Sequence, residues 1–237
     1  MLSDKRRVEI LAYISNNQET SVSELLERFD VSVATIRRDL TKLEKDGQIK
    51  RTHGGAVLEK RSLLDFSYLE REKKYTQRKI FIANKVASFI EDGDRIFFND
   101  GTTIMQIAKQ IVKRDISITV MTNSIKVADI LLNNPKIEVI IIGGNIGDFS
   151  FASSGPFAEI MIESLYATKA IIGADAFHAV KGISIQPVGE ATLTKKMISN
   201  SEKVIAVGDS SKIGTIAAVI ICKWKDVDVF ITDSIDE

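Results

Sequence analysis

The chain has 237 residues, 44% of them hydrophobic and 27% charged, with three prolines, enough to bury a real core in one large domain or two smaller ones. Its 32 basic and 32 acidic side chains cancel, so overall charge gives no support for a nucleic-acid partner, and any such case rests on local distribution. One cysteine, Cys222, and two histidines exclude an intramolecular disulfide framework and a zinc site of ordinary spacing. The first residues lack the pattern of a signal peptide and the longest apolar runs are far too short to cross a bilayer. A cytoplasmic protein without metal, cofactor or membrane partner is the expectation.

The first 57 residues read as helical. Val8, Leu11 and Ile14 recur at helical spacing, with Ile10 and Tyr13 beside them. Ser21 or Ser23 caps a short second helix that turns Leu25, Leu26 and Phe29 inward. Asp30-Val31-Ser32 makes a tight turn, and Ser32 caps a third helix with Ile36, Leu40 and Leu43 on one face, ending at Gly47. Short helix, brief turn and longer helix make a helix-turn-helix. Residues 49–52 and 56–58 pair across His53-Gly54-Gly55 and add a wing.

Residues 59–79, with Arg71, Lys73, Lys74, Arg78 and Lys79, read as a charged, solvated linker helix. From residue 80 the texture changes. Short β-branched runs at 95–98, 116–121, 137–142, 169–172, 203–207 and 227–231 alternate with helical patterns at 103–112, 126–132, 157–165 and 191–199. Such alternation predicts an α/β domain, a largely parallel, Rossmann-like sheet covered on both faces. The predicted domains are therefore 1–58, a linker at 59–79, and 80–237.

In open α/β sheets ligands bind beyond the carboxyl ends of the strands. Here those ends are small and polar. The first runs into Asn99-Asp100-Gly101-Thr102-Thr103 at a helix start, where backbone N–H groups and two hydroxyls form an anion cradle. The second ends in Thr122-Asn123-Ser124, the third in Gly143-Gly144, the fourth in Gly173-Ala174-Asp175 and the fifth in Gly208-Asp209-Ser210-Ser211-Lys212. Hydroxyls, amides and a lysine suit an anionic polyol, and Asp100, Asp175, Glu190 and Asp209 are placed to accept its hydroxyl protons. A phosphorylated sugar fits this chemistry better than an apolar ligand. No G-x-G-x-x-G or G-x-x-x-x-G-K-[ST] run occurs after the first strand, and no G-x-S-x-G turn accompanies His178. His178 reads as a surface-loop residue, Cys222 as a buried structural thiol and Trp224 as packing.

The third helix leaves Thr35, Arg37, Arg38, Thr41 and Lys42 outside or flanking, and residues 36–53 hold six Lys/Arg against three Asp/Glu. In a helix-turn-helix the N-terminal part of this helix enters the major groove, where arginine reads guanine or clamps phosphate. Candidate DNA contacts are Ser32, Thr35, Arg37, Arg38 and Lys42, joined by Lys50, Arg51 and His53 on the wing.

The stretch VSVATIRRDLTKLEKDGQIKRTHGGA resembles the winged helix-turn-helix signature of DeoR-type transcriptional regulators. NDGTT, MTNS, IIGG, Gly-Ala-Asp, a Glu followed by Lys-Lys-Met-Ile, and DSSKIG then occur in that family's order. The resemblance implies a sugar-phosphate sensor domain similar in fold to ribose-5-phosphate isomerase, self-association as a dimer or larger, and repression of a carbohydrate-metabolism operon through double-stranded operator DNA. Carried onto this chain, it gives the effector pocket to Asp100, Gly101, Thr102, Thr103, Thr122, Asn123, Ser124, Gly143, Gly144, Asp175, Glu190, Lys195 and Lys212. Two departures stand out. Thr194-Lys195-Lys196 replaces the family's usual lysine-arginine pair, and the chain ends soon after Asp233, so a trimmed last sheet edge is expected.

Two other readings share these residues. In one, the second domain is a sugar-phosphate isomerase with Glu190 as general base and Asp175 or Lys195 as its electrostatic partner. In the other, that domain is vestigial and serves assembly alone.

Overall fold

Alternation and helical periodicity both turn into packed layers in the computed structural model, which describes residues 3–17, 19–45, 48–52, 54–58, 68, 70–146, 150–186 and 188–233. The chain divides into two compact units, Met1–Arg71 and Glu72–Glu237.

The first unit comprises α1 (Ser3–Asn17), β1 (Glu19–Ser21), α2 (Val22–Phe29), α3 (Val33–Lys45), β2 (Ile49–Arg51) and β3 (Gly55–Leu58). Ile10 and Ile14 of α1, Leu25 of α2, and Ile36, Leu40 and Leu43 of α3 form its core with Ile49 and Ala56. The inward face of α1 thus runs through Ile10 and Ile14, while Val8 is exposed, so the face expected from Val8 is corrected. Ser21 caps α2, its hydroxyl accepting from Glu24 N–H while the Glu24 carboxylate accepts from Ser21 N–H, a closed capping box. The Ser21 N–H, followed by the Thr20 hydroxyl, holds the Glu24 carboxyl below its ordinary range. Asp30 ends α2 in the left-handed conformation, and α3 follows after two residues. The three strands form one antiparallel sheet in the order β1-β3-β2. Sequence reading missed β1, because Glu19-Thr20-Ser21 carries no apolar alternation and is a strand only through its pairing with β3. Gly47, His53 and residues 59–67 lie outside the described residues.

The second unit opens with α4 (Thr76–Ala87), followed by β4 (Arg95–Phe98), α5 (Thr102–Ile111), β5 (Ile118–Thr122), α6 (Ile125–Leu131), β6 (Ile137–Ile141), β7 (Asn145–Ile146), β8 (Ser153–Ser154) and α7 (Pro156–Glu163). Then come β9 (Ala167–Gly173), β10 (Ala176–His178), β11 (Gly182–Ile185), α8 (Val188–Ser199), β12 (Ser201–Val207), β13 (Val219–Cys222) and β14 (Val229–Ile231). Residues 72–79 were expected in a solvated linker. They belong instead to this unit, and Lys79 is buried, because Ile82, Ala83 and Val86 commit the helix to the core.

Six parallel strands form the main sheet in the order β14-β12-β9-β4-β5-β6. The chain builds outward from β4 to β6, then returns to the other side of β4 and builds outward again. The order therefore reverses between β4 and β9, which is the switch point where doubly wound sheets bind ligands. Side chains alternate cleanly across the sheet. Ile96, Phe98, Val120, Ile171 and Ile205 face α4, α5 and α6. Phe97, Met121, Ala170, Ile172 and Ala206 face α7, α8 and the small sheet β10-β11-β13. The sheet ends on that side in β14, three residues long, paired with β12.

Candidate functional site

In the first unit, α3 presents a continuous exposed face. Ala34, Arg37, Arg38, Thr41, Lys42 and Lys45 are all exposed at successive i, i+3, i+4 positions, a small and basic stripe with the exposed carboxylate of Glu44 at its edge. Ser32 and Thr35 also bond to each other. Thr35 N–H donates to Ser32 Oγ at 3.3 Å and the two hydroxyls lie 2.9 Å apart, so they shape the helix start and present the stripe. Lys50 and Arg51 are exposed on β2, and His53 lies outside the described residues. The wing is fastened to the helix: Arg51 N–H donates to Glu44 Oε1 at 3.1 Å, and Arg51 Nη1 reaches Thr41 Oγ1 at 3.4 Å.

Beneath the stripe lies a residue that sequence reading passed over. Asp39 is 2% exposed, and its Oδ2 accepts from Arg6 Nε at 2.6 Å. The ion pair locks α3 to α1 and removes a carboxylate from the side where phosphates would approach. Its position three residues after Ile36 and four before Leu43, squarely in the apolar stripe, was the available signal.

In the second unit the strand tips share one edge because all six strands run parallel. At the switch point Asn99 Nδ2 donates to Gly173 O at 2.9 Å and Gly173 N–H donates to Asn99 Oδ1 at 2.8 Å. One side-chain amide thus continues the β4–β9 ladder by a further rung. Directly beyond it, Asp100 accepts from Ser124 Oγ at 2.9 Å, joining the first tip to the second. Ser124 also caps α6. Gly101 is the N-cap of α5 at φ 142°, a conformation that excludes a Cβ. Thr102 and Thr103 are buried in the first turn of that ten-residue helix, whose dipole and N–H groups favour an anion.

Around this pair the other tips close in to differing degrees. Thr122 Oγ1 accepts from Ser124 N–H, and Asn123 Nδ2 donates to Ser153 O. Asn123 Oδ1 is buried with no hydrogen-bond partner among the described residues. Gly144 has φ 150°, and a Cβ there would stand 2.6 Å from Ser154 O, so glycine lets the 153–154 strand pass; Gly143 beside it is open. Lys212 Nζ donates to Ala174 O at 2.5 Å, tying the fifth tip to the fourth. Asp175 is exposed, and its Oδ2 accepts from Gln186 N–H at 2.7 Å. Glu190, in the first turn of α8, accepts from Ser150 Oγ. Lys195 is exposed, and no hydrogen bond or ion pair joins it to the other candidates among the described residues; its neighbour Lys196 pairs with Glu163 on α7.

Three further residues resolve as structural. His178 ends β10, and its Nδ1 accepts from Val180 and Lys181 N–H while its carbonyl accepts from Trp224 Nε1, so it organises a turn and is not a free surface side chain. Trp224 packs against Phe177 and Phe230. Burial, with Asp226 nearby, pushes the Cys222 thiol up to about 12, which keeps it protonated and inert at neutral pH. Among the described residues no His/Cys/Asp/Glu group suits a metal, and no helix is long and apolar enough to cross a membrane.

Comparison with known proteins follows the same division. Residues 6–62 match the model of the DeoR-like helix-turn-helix domain, and residues 74–234 match that of the DeoR C terminal sensor domain. An uncharacterized HTH-type transcriptional regulator of Bacillus subtilis, YulB, is 37% identical over 234 residues, covering 99% of this chain and 90% of its own length. The lactose phosphotransferase system repressor of Lactococcus lactis is 31% identical, covering 98% and 92%. Among solved structures, ribose 5 phosphate isomerase A of Neisseria gonorrhoeae overlays 57% of this chain and 52% of its own at a TM-score of 0.44 and 21% identity.

Proposed function

The chain belongs to the DeoR family of transcriptional regulators, and from that premise we propose that it represses a carbohydrate-metabolism operon, with its hold on operator DNA modulated by a phosphorylated sugar bound at the strand tips. The first unit reads DNA. Arg37, Arg38 and Lys42 face the major groove from α3, while Lys50 and Arg51 grip the flanking backbone from the wing. A dimer is the smallest assembly that reads paired half-sites.

The observation that carries the effector reading is the arrangement at the switch point. Asp100 and Ser124 are joined on one side of the Asn99–Gly173 clamp and Lys212 is fastened to Ala174 on the other. The first turn of α5 lies in the same crevice. Carboxylate and hydroxyls take up the sugar, and the helix start with Lys212 takes up the phosphate. Glu190, which an isomerase would use as its base, accepts a hydrogen bond from Ser150, and we read it as part of an effector-binding site.

The test is thermal unfolding followed by Trp224 emission, against glucose, fructose and ribose phosphates and the free sugars. A ligand at a hundred times its Kd stabilises by about 2.7 kcal/mol, which raises the midpoint of a domain this size by about 5–10 °C. One phosphorylated sugar should give this shift, its free sugar should not, and the Thr102→Ala/Thr103→Ala protein should lose it. No shift with any phosphate would sink the reading.

A further inference from the structure

Among the described residues two that are not glycine hold φ in the left-handed region, Asp30 and Tyr75. Asp30 closes α2, a place where short polar residues adopt that conformation readily. Tyr75 is a bulky aromatic at φ 55°, ψ 36°, and it stands at the N-cap of α4 without a side-chain hydrogen bond to the helix. Its surroundings must impose this conformation.

Those surroundings can be named. The Arg78 guanidinium lies 4.7 Å from the centre of the Tyr75 ring, and the Lys74 ammonium lies 5.1 Å from it. Arg78 is fixed in turn from its far side. Its Nη1 donates to Ser210 Oγ at 2.8 Å, and its Nε stands 3.4 Å from Asp233 Oδ2. Asp233 also accepts from Ser210 N–H at 2.6 Å. Burial pushes the Asp233 carboxyl up, but the Ser210 N–H and Arg78 help to outweigh it and hold the group below its ordinary range, charged at neutral pH. A second tie lies three residues earlier, where Glu72 pairs with Lys109 of α5 at 2.9 Å.

Residues 72–75 are where the chain from the DNA-reading unit enters the second unit. Both ties at this entry run to elements of the effector crevice. Ser210 begins the turn that carries Lys212, and Lys109 is on the helix that begins with Thr102 and Thr103. We infer that Arg78 is a positioning residue: it holds Tyr75 left-handed, so sets the direction in which the chain joins the sensor, and makes that direction depend on the Ser210–Lys212 turn. The identity of the signal rests on the effector reading above; the joint itself does not. A ligand that draws Lys212 away from Ala174 disturbs Ser210, loosens Arg78 and releases Tyr75 to helical values, a change of roughly 115° in φ. Occupancy is coupled to the DNA-reading unit only so far as the two states of this joint differ in affinity for the ligand.

The experiment uses the full chain and an operator duplex that the wild type has selected from a random-sequence pool. Operator Kd is measured by fluorescence anisotropy at fixed salt for wild type, Arg78→Ala, Arg78→Lys, Tyr75→Ala and the Arg78→Ala/Tyr75→Ala double variant. Arg78→Ala should change Kd by about fivefold or more, while the Trp224-monitored unfolding midpoint stays within about 3 °C. Arg78→Lys, which keeps the charge but not the fork, should recover less than half of the change. Tyr75→Ala, which removes the ring that Arg78 holds and leaves a residue that disfavours φ > 0, should give the same change alone and add nothing to Arg78→Ala, because both act on one joint. Operator Kd within about twofold of wild type in both single variants, or effects that simply add, would overturn the inference. If Arg78→Ala changes Kd while no sugar phosphate stabilises the protein, the joint stands and the effector reading falls. If a sugar phosphate binds and weakens operator binding equally in wild type and Arg78→Ala, the joint falls alone.

Discussion

Replacing Asn99 by aspartate tests the clamp at the switch point with a change of one atom. The amide is 5% exposed and exchanges two hydrogen bonds with Gly173, one in each direction. Asn99→Asp keeps the acceptor for Gly173 N–H but sets a second oxygen against Gly173 O. Losing one bond and leaving that carbonyl unsatisfied costs about 2 kcal/mol, and holding a desolvated charge there raises the total to about 3 kcal/mol. Protonation repairs the fault, since a carboxylic O–H donates to Gly173 O as the amide did. The introduced carboxyl therefore has a folded-state pKa raised above its unfolded value of about 3.9. Its sign follows: the variant approaches wild-type stability below that value and loses it as pH rises through the folded pKa. A deficit of about 3 kcal/mol corresponds to a rise of about two pH units, so the loss should spread between about pH 4 and pH 6. Urea unfolding from pH 4.5 to 8 reads this, with emission from Trp224, the single tryptophan, reporting on the second unit. Asn99→Leu serves as the control with a deficit that does not vary with pH. A stability within about 0.5 kcal/mol of wild type at pH 8, or a deficit that fails to shrink toward pH 5, would refute the reasoning.

Three more outcomes are expected. Arg38→Ala should weaken operator binding and lower the slope of log Kd against log salt by about one, and an unchanged slope would remove Arg38 from the phosphate contacts. Asp39→Ala removes the buried carboxylate that Arg6 and Arg7 face at 2.6 and 4.0 Å and should destabilise the first unit by about 2 kcal/mol; helix loss followed by far-UV circular dichroism checks it, and a cost below about 0.5 kcal/mol would show the pair to be incidental. Cys222, its thiol pushed up to about 12, should react with a disulfide reagent at pH 8 only when denaturant opens the fold; a fast native-state reaction would contradict its burial.

The architecture was legible because short apolar runs and one helical period carry it. The runs at 95–98 and 203–207 and the helical spacing in 103–112 each matched the observed element to within two residues, and parallel pairing then put every small, polar strand tip on one edge. What the sequence hid depends on partners far along the chain. The position of Asp39 in the apolar stripe marks it as buried, but its partner Arg6, 33 residues away, is not legible in the sequence. The strand at Glu19–Ser21 exists only through β3. Arg71, Lys73, Lys74, Arg78 and Lys79 look alike as a basic run. Only packing separates Lys79, which is buried, from Arg78, which reaches Ser210 across 132 residues. The family signature named candidate pocket residues but did not rank them: Lys195 stands apart, while Asn99, outside the carried-over set, ties the β4 and β9 tips together.

The reversal of strand order gives the proposed effector crevice a particular origin in time. Its walls, Asp100 with Ser124 on one side and Ala174 with Lys212 on the other, come from separate stretches of chain, and the rung that joins them links positions 74 residues apart. A ribosome delivers the DNA-reading unit first, then one wall, and the other wall only after Gly173 has emerged. Until then no crevice exists. The nascent protein therefore holds its whole first unit before it holds both walls of the proposed crevice, and a chain truncated between the walls keeps that order permanently.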